Sequence, residues 1–126
     1  MIRSGTDMKR DMDLVRALLM AVESHPTGFA PDEIEVSGYT QEEIAYHAFL
    51  LNEAGLVHAV EMTAFCDRSP QSKIVSLTWE GHEFLDAARE LSRWKQAKDL
   101  ISNIGGASMP VWMALLTEYA KKSLGL

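Results

Sequence analysis

Residues 39–56 read YTQEEIAYHAFLLNEAGL, and this stretch decides the fold of the chain. Thr40 followed three residues later by Glu43 is a capping-box signature, which predicts the start of a helix. Gly55 suits the left-handed position just beyond a helix end. The stretch therefore predicts a helix over Gln41–Ala54, and the apolar residues of its buried stripe are Ile44, Ala48 and Leu51.

Two strands are predicted after this helix. Leu56–Phe65 has the composition of a strand and Lys73–Leu77 that of its antiparallel partner, with a short polar turn between them. Ile34-Glu35-Val36 allows a third, short edge strand. Residues 75–81, VSLTWEG, lead directly into another helix that Thr78 can cap. The order of helix, two-stranded ribbon and helix is typical of a winged helix.

Three further helices complete the prediction. The first runs from about Lys9 to Ser24, and the last begins at Ser108, beyond the helix-breaking pair Gly105-Gly106. Between the ribbon and that pair lies one long helix over Glu80–Ile104. Its apolar stripe consists of Phe84, Ala88, Leu91, Trp94, Ala97, Ile101 and Ile104.

The predicted fold class is α+β and mostly helical: a winged helix-turn-helix with a two-stranded wing and additional C-terminal helices. Residues 1–7 are expected to form a flexible N-terminal extension, and residues 8–79 the winged-helix core. Residues 80–126 hold the long helix and the terminal helix, which we expect to belong to the same domain and to mediate oligomerisation.

Length and composition favour one soluble domain. The chain has 126 residues, of which 47% are hydrophobic, and these values fit a single folded core. No apolar run approaches the roughly 18 residues of a membrane span, and the N-terminus lacks the apolar region of a signal peptide. Cys66 is the single cysteine, so no intrachain disulfide can form. A reduced, cytoplasmic location is therefore expected.

The net charge of −6 is unevenly distributed. Residues 25–55 contain six acidic and no basic side chains, whereas residues 91–126 contain five basic and two acidic ones. The helix expected to face DNA thus lies in the most acidic part of the chain. Because phosphate binding depends on Lys and Arg, this distribution argues against ordinary DNA recognition by that helix.

Three segments resemble an uncharacterised family of bacteria and prophages, a domain of unknown function. They are Met8–Leu14 (MKRDMDL), Glu42–His47 (EEIAYH) and Leu77–Asp86 (LTWEGHEFLD). The resemblance extends over nearly the whole chain from Met8, so that residues 1–7 would be an extension from an upstream start. It implies a small protein with a winged-helix-like fold of the kind carried by mobile elements, and it transfers no catalytic residue and no ligand.

No constellation of catalytic or metal-binding residues is visible in the sequence. His82-Glu83 begins like a zinc-protease motif, but Asp86 stands where the second histidine is needed. Cys66 has no histidine at catalytic spacing, and Gly105-Gly106 lacks the other residues of a phosphate-binding loop. We therefore predict no metal, no cofactor and no enzymatic activity.

Two functions remain open. The first is a DNA-binding regulator, in which the helix from Gln41 and the wing contact the duplex. If Ile44, Ala48 and Leu51 point inward, then Glu42, Glu43, Tyr46, His47 and Leu50 lie toward the outside. The predicted nucleic-acid-binding residues are Gln41, Tyr46, His47, Arg68 and Lys73.

The alternative function is a protein-interaction module, because large apolar groups on the same helix require a covering surface. The C-terminal helices also carry more apolar surface than one small ribbon fold needs, which predicts a homodimer. The predicted interface residues are Phe49, Leu50, Trp94, Trp112, Leu115, Leu116 and Tyr119.

Overall fold

A computed structural model describes residues 8–126, and the predicted extension over residues 1–7 lies outside that range. The described chain is α+β and mostly helical. It divides into two compact units, of which the first ends at His82 and the second begins at Glu83. The elements are α1 (Met12–Glu23), α2 (Gln41–Glu53), β1 (Val57–Glu61), β2 (Ser72–Leu77), α3 (Trp79–Ala88), α4 (Leu91–Asn103) and α5 (Met109–Ser123).

The predicted hairpin is confirmed. β1 and β2 pair antiparallel from Val57 opposite Leu77 to Glu61 opposite Ser72. β1 is shorter than predicted because a tight turn follows it. The backbone N–H of Ala64 donates to the Asp67 carboxylate over 2.6 Å, and the N–H of Asp67 donates to the carbonyl of Ala64.

The prediction of a third, short edge strand is wrong, because no strand forms over Ile34–Val36. Residues 24–40 connect α1 to α2 as an irregular segment, held at two points. The N–H of Ala30 donates to the carbonyl of Val75 over 2.8 Å, and the Gln41 amide donates to the carbonyl of Ile34 over 3.0 Å. Within residues 8–126 the sheet therefore has two strands.

Helix ends in the first unit follow from side-chain caps. The capping box predicted at Thr40 and Glu43 is confirmed, with both reciprocal hydrogen bonds present. α1 begins at Met12, later than predicted, because Asp11 caps it. The Asp11 carboxylate accepts hydrogen bonds from the N–H groups of Asp13 and Leu14. The core of this unit contains Leu14, Val15, Leu18, Leu19, Val22, Ile44, Ala48, Leu51, Leu56, Val57 and Ile74.

The junction between the hairpin and α3 is closely packed. The Thr78 hydroxyl donates to the carbonyl of Gly55 over 2.6 Å and accepts from the N–H of Gly81, so Thr78 caps α3 as predicted. A side chain at Gly81 would collide with the backbone carbonyl of Leu56. Only glycine allows this close approach of helix and strand.

The single long helix predicted over Glu80–Ile104 is wrong. It is interrupted after Ala88, and a new helix, α4, begins at Leu91. The Glu90 carboxylate caps α4 by accepting hydrogen bonds from the N–H groups of Ser92 and Arg93. Leu91 and Ile104 of the predicted stripe are exposed, whereas its other five members are buried as predicted. The core of the second unit contains Phe84, Leu85, Ala88, Trp94, Ala97, Ile101, Trp112 and Leu116.

Candidate interaction surface on the second helix

α2 has two different faces. One face is buried, and its members are Glu43, Ile44, His47, Ala48 and Leu51. The opposite face follows from the helical spacing of the remaining positions. We call it the outer face of α2, and it consists of Glu42, Ala45, Tyr46, Phe49 and Glu53.

His47 lies on the buried face, so the predicted outward position of His47 is wrong. Its side chain is 1% exposed. Nε2 accepts a hydrogen bond from the N–H of Asp11 over 2.9 Å, and Nδ1 is 2.9 Å from the carbonyl oxygen of Glu43. Because the Asp11 N–H can only donate, Nε2 must be unprotonated and Nδ1 must donate to Glu43. His47 thus joins the start of α1 to α2.

Asp11 and Tyr39 complete this polar junction, and neither was predicted from the sequence. The Tyr39 hydroxyl donates to the Asp11 carboxylate over 2.9 Å, while the other oxygen of that carboxylate caps α1. An aspartate directly before an apolar periodic run is a signal for an N-cap and could have identified Asp11. Glu43, also expected outside, is buried because its carboxylate completes the capping box.

Aromatic side chains form the centre of the outer face. The rings of Tyr46 and Phe49 are stacked, with centroids 6.5 Å apart and an interplanar angle of 11°. Tyr46 also meets the edge of the His47 ring at 6.0 Å. Both side chains of the stack are only half-buried. The pair therefore leaves part of its aromatic surface open to solvent.

Glu42 and Glu53 flank the aromatic pair, and Glu42 forms an ion pair with Arg68 of the hairpin. Arg68 contacts Glu42 through two nitrogens, at 2.7 Å and 3.3 Å from the two carboxylate oxygens. The Arg68 side chain is 80% exposed, so this ion pair is open to solvent. Glu53 at the far end of the face is exposed. α2 itself contains no lysine or arginine.

The other predicted nucleic-acid contacts are dispersed. Gln41 is exposed, but its amide donates to the carbonyl of Ile34, and Lys73 is exposed on β2. Four large apolar side chains that were not predicted as site residues are also exposed: Phe29 in the segment before α2, and Val60, Met62 and Phe65 in the hairpin. No periodic signal marks these residues, because they lie on loops and on the solvent side of a short strand.

Three predicted interface residues of the second unit are unavailable to a partner. Trp94, Trp112 and Leu116 are 2%, 4% and 0% exposed. The two tryptophan rings stack with centroids 4.7 Å apart, and Phe84 meets Trp94 edge-on. Their predicted interface role is wrong, since they form the core of this unit. Leu50, Leu115 and Tyr119 remain half-buried.

The described residues form neither a metal-binding cluster nor a membrane-spanning helix. Within residues 8–126 no three side chains of His, Cys, Asp or Glu are grouped to hold a metal ion. Asp86, which stands where the zinc-protease motif needs its second histidine, forms an ion pair with Arg89 at 2.8 Å. Over the same range no helix combines the length and apolar character required to cross a bilayer.

Comparison with known proteins places the chain in a family. The family model described as hypothetical protein (DUF2513) matches residues 9–108, which include α1, α2, the hairpin and α4. The chain belongs to the DUF2513 family. A relative from Haemophilus influenzae, described as an uncharacterized protein, is 34% identical over 99 residues, or 76% of this chain and 80% of the relative. No solved structure gives a significant match.

Proposed function

We propose that this DUF2513 protein is a non-enzymatic winged-helix domain that binds a protein through the outer face of α2. The order of α2 and the β1–β2 hairpin, followed directly by α3, supports a winged-helix assignment for this part of the fold. The helix-turn-helix predicted before the hairpin does not form, because an irregular segment over residues 24–40 joins α1 to α2. In winged-helix domains the helix before the hairpin is the one usually presented to DNA, so its outward side is the recognition surface. The outer face of α2 is therefore the first surface to consider.

The observation that carries the proposal is the chemistry of that face. It combines a half-buried aromatic pair with Glu42 and Glu53, and α2 has no cation. Aromatic side chains are enriched in protein interfaces, whereas DNA-binding surfaces require clustered Lys and Arg. The face fits a protein segment that offers apolar contacts together with a basic residue.

The pairing of Arg68 with Glu42 supports the same conclusion. Arg68 is one of the two basic residues of the hairpin region that were expected to contact phosphates, and its guanidinium already neutralises a carboxylate. A phosphate would have to compete with Glu42 for Arg68 and would be repelled by the carboxylate. DNA binding stays a prediction, with weaker support than protein binding.

The segment before α2 also differs from a helix-turn-helix. In that motif two helices are joined by a turn of about three to four residues. Here residues 24–40 separate α1 from α2 and contain no helix. α2 therefore has no short-turn partner helix to fix it against the DNA backbone, which again favours a protein as the ligand.

A pair of matched variants tests the proposal. A tagged chain is isolated from its host, each co-purifying protein is identified, and binding is then measured between the purified components. We expect Phe49→Glu to weaken this binding by at least about tenfold, because it adds a charge to the aromatic centre of the interface. Leu100→Glu, which changes an exposed apolar residue of α4, should leave the affinity unchanged.

DNA binding provides the opposing outcome. The purified chain is titrated into a labelled duplex of mixed sequence at about 50 mM and about 200 mM salt. The proposal expects no salt-dependent binding. It would be overturned by an affinity that falls steeply with salt and is weakened by Arg68→Ala or Lys73→Ala, while Phe49→Glu has no effect on any protein complex.

A further inference from the structure

We propose that a cleft beside the outer face of α2 receives one apolar side chain of the partner, together with an adjacent lysine or arginine. This cleft, the α2–β2 cleft, lies between residues 31–34, α2 and the first residues of β2. The inference rests on the proposed function, because it names the part of a protein partner that the surface would recognise. It concerns a site separate from the Tyr46–Phe49 stack.

The floor of the cleft is apolar. It is formed by three α2 side chains and one from β2: Ile44, Ala45, Ala48 and Ile74. The volume of about 180 Å³ is below the roughly 300 Å³ at which small-molecule sites begin. This size fits a single aliphatic side chain better than a metabolite.

The walls of the cleft are fixed before a partner arrives. On one side the Gln41 amide holds the carbonyl of Ile34 at 3.0 Å, and on the other the N–H of Ala30 holds the carbonyl of Val75 at 2.8 Å. Residues 30–34 are thus attached to β2 at one end and to α2 at the other. A preformed cleft reduces the entropic cost of ordering the site on binding.

The rim of the cleft determines the charge of the occupant. Asp32 and Glu33 line it and are exposed, and Lys73 is the one basic residue among the lining residues. The surrounding segment, residues 25–55, has six acidic side chains and no basic one. Complementary charge therefore selects a basic residue next to the apolar anchor and disfavours phosphate-containing ligands.

The cleft is also continuous with the proposed interface. Ala45 lines the cleft and belongs to the outer face, so one partner segment can reach both. The apolar anchor would enter the cleft while neighbouring partner residues cover Tyr46 and Phe49. Anchor residues in preformed pockets supply a large share of the affinity of such interfaces.

The test uses a defined peptide as the probe. The capped tetrapeptide Arg-Leu-Leu-Arg is titrated into the ¹⁵N-labelled chain, with Asp-Leu-Leu-Asp as the matched control of opposite charge. We expect the amide signals of Ala45, Ala48 and Ile74 to shift with a dissociation constant of order 1 mM, as for a ligand with a single anchor. The acidic peptide should shift them far less.

Variants separate the cleft from the rest of the surface. The double substitution Asp32→Lys and Glu33→Lys should weaken peptide binding by about tenfold, because it reverses the rim. Ala45→Trp should abolish binding by filling the cleft, and Glu118→Lys, an exposed charge reversal on α5 that lies on neither the outer face nor the cleft, should have less than about a twofold effect. No shift at about 10 mM peptide, or equal shifts with both peptides, would overturn the inference.

Experiment can distinguish an error in the cleft inference from an error in the proposed function. If the natural partner loses affinity on Phe49→Glu but binds Ala45→Trp and the rim variant normally, the outer face is an interface and the cleft is not its anchor. If neither Phe49→Glu nor the cleft variants weaken any protein complex, the proposed function itself is wrong.

Discussion

Two aromatic pairs in this protein have similar sequence signals and opposite surroundings. Tyr46 and Phe49 stack on α2 and remain half-buried, whereas Trp94 of α4 and Trp112 of α5 stack in the core of the second unit. The Trp112 ring of α5 covers Trp94, whereas among the described residues the α2 pair stays half-buried. Aromatic residues at helical spacing therefore show where apolar surface exists, and the packing of a further element decides whether a partner can reach it.

The largest expected difference between the two aromatic pairs lies in the free energy of unfolding. Trp94→Ala should lower the free energy of unfolding by about 4 kcal/mol, because it removes a large core side chain and leaves a cavity. Phe49→Ala should lower it by about 1 kcal/mol, since the ring is half-exposed. Urea unfolding followed by circular dichroism measures both. Equal costs would show that the α2 pair is covered in the same way as the tryptophans.

A second contrast lies within α2, between its buried and outer faces. His47→Ala should lower the free energy of unfolding by about 3 kcal/mol, because it leaves the N–H of Asp11 without its acceptor and opens a gap between α1 and α2. Tyr46→Ala on the outer face should cost about 1 kcal/mol. The same urea titration applies, and a neutral effect of His47→Ala would contradict the junction described above.

The caps of α2 and α4 give a smaller contrast. Thr40→Ala removes one half of the capping box and should cost about 1 kcal/mol in the free energy of unfolding. Glu90→Ala removes a fully exposed cap, so its effect should be seen locally, as faster amide hydrogen exchange in the first turn of α4. Unchanged exchange at Arg93 and Trp94 would indicate that α4 starts without help from Glu90.

The pH dependence of the Glu90 cap provides the smallest predicted effect. Hydrogen bonds from the Ser92 hydroxyl, then from the N–H groups of Arg93 and Ser92, lower the pKa of Glu90 from 4.5 to about 2. Because the folded pKa is depressed, the cap stabilises α4 fully above pH 4.5 and is lost as the pH falls toward 2. Carboxyl NMR titration should show this low pKa, and Ser92→Ala should raise it.

The first unit was predictable where local chemistry determines the structure. Thr40 with Glu43, Gly55 and Thr78 are short-range signals for helix ends, and each predicted boundary is confirmed. The face of α2 was less predictable. Helical spacing located Ile44, Ala48 and Leu51, but the burial of His47 depends on Asp11, 36 residues away in the sequence.

The second unit was less predictable because its pattern is ambiguous. An apolar stripe continues across Ala88 and Leu91, so periodicity alone predicts one helix. The interruption depends on the ability of Glu90 to cap a new helix, which competes with helix continuation in a way that spacing does not reveal. The same ambiguity made the core tryptophans indistinguishable from interface residues until the contacts of α5 were known.

The most direct test of the central claim places a photo-crosslinking benzoylphenylalanine in the host at the position of Phe49, with Gln96 on α4 as the matched exposed control. The outer face of α2 should yield a discrete adduct that protease destroys and nuclease leaves intact, and the control position should not yield it. An adduct at position 49 that nuclease removes, or identical adducts at both positions, would contradict protein binding by this face.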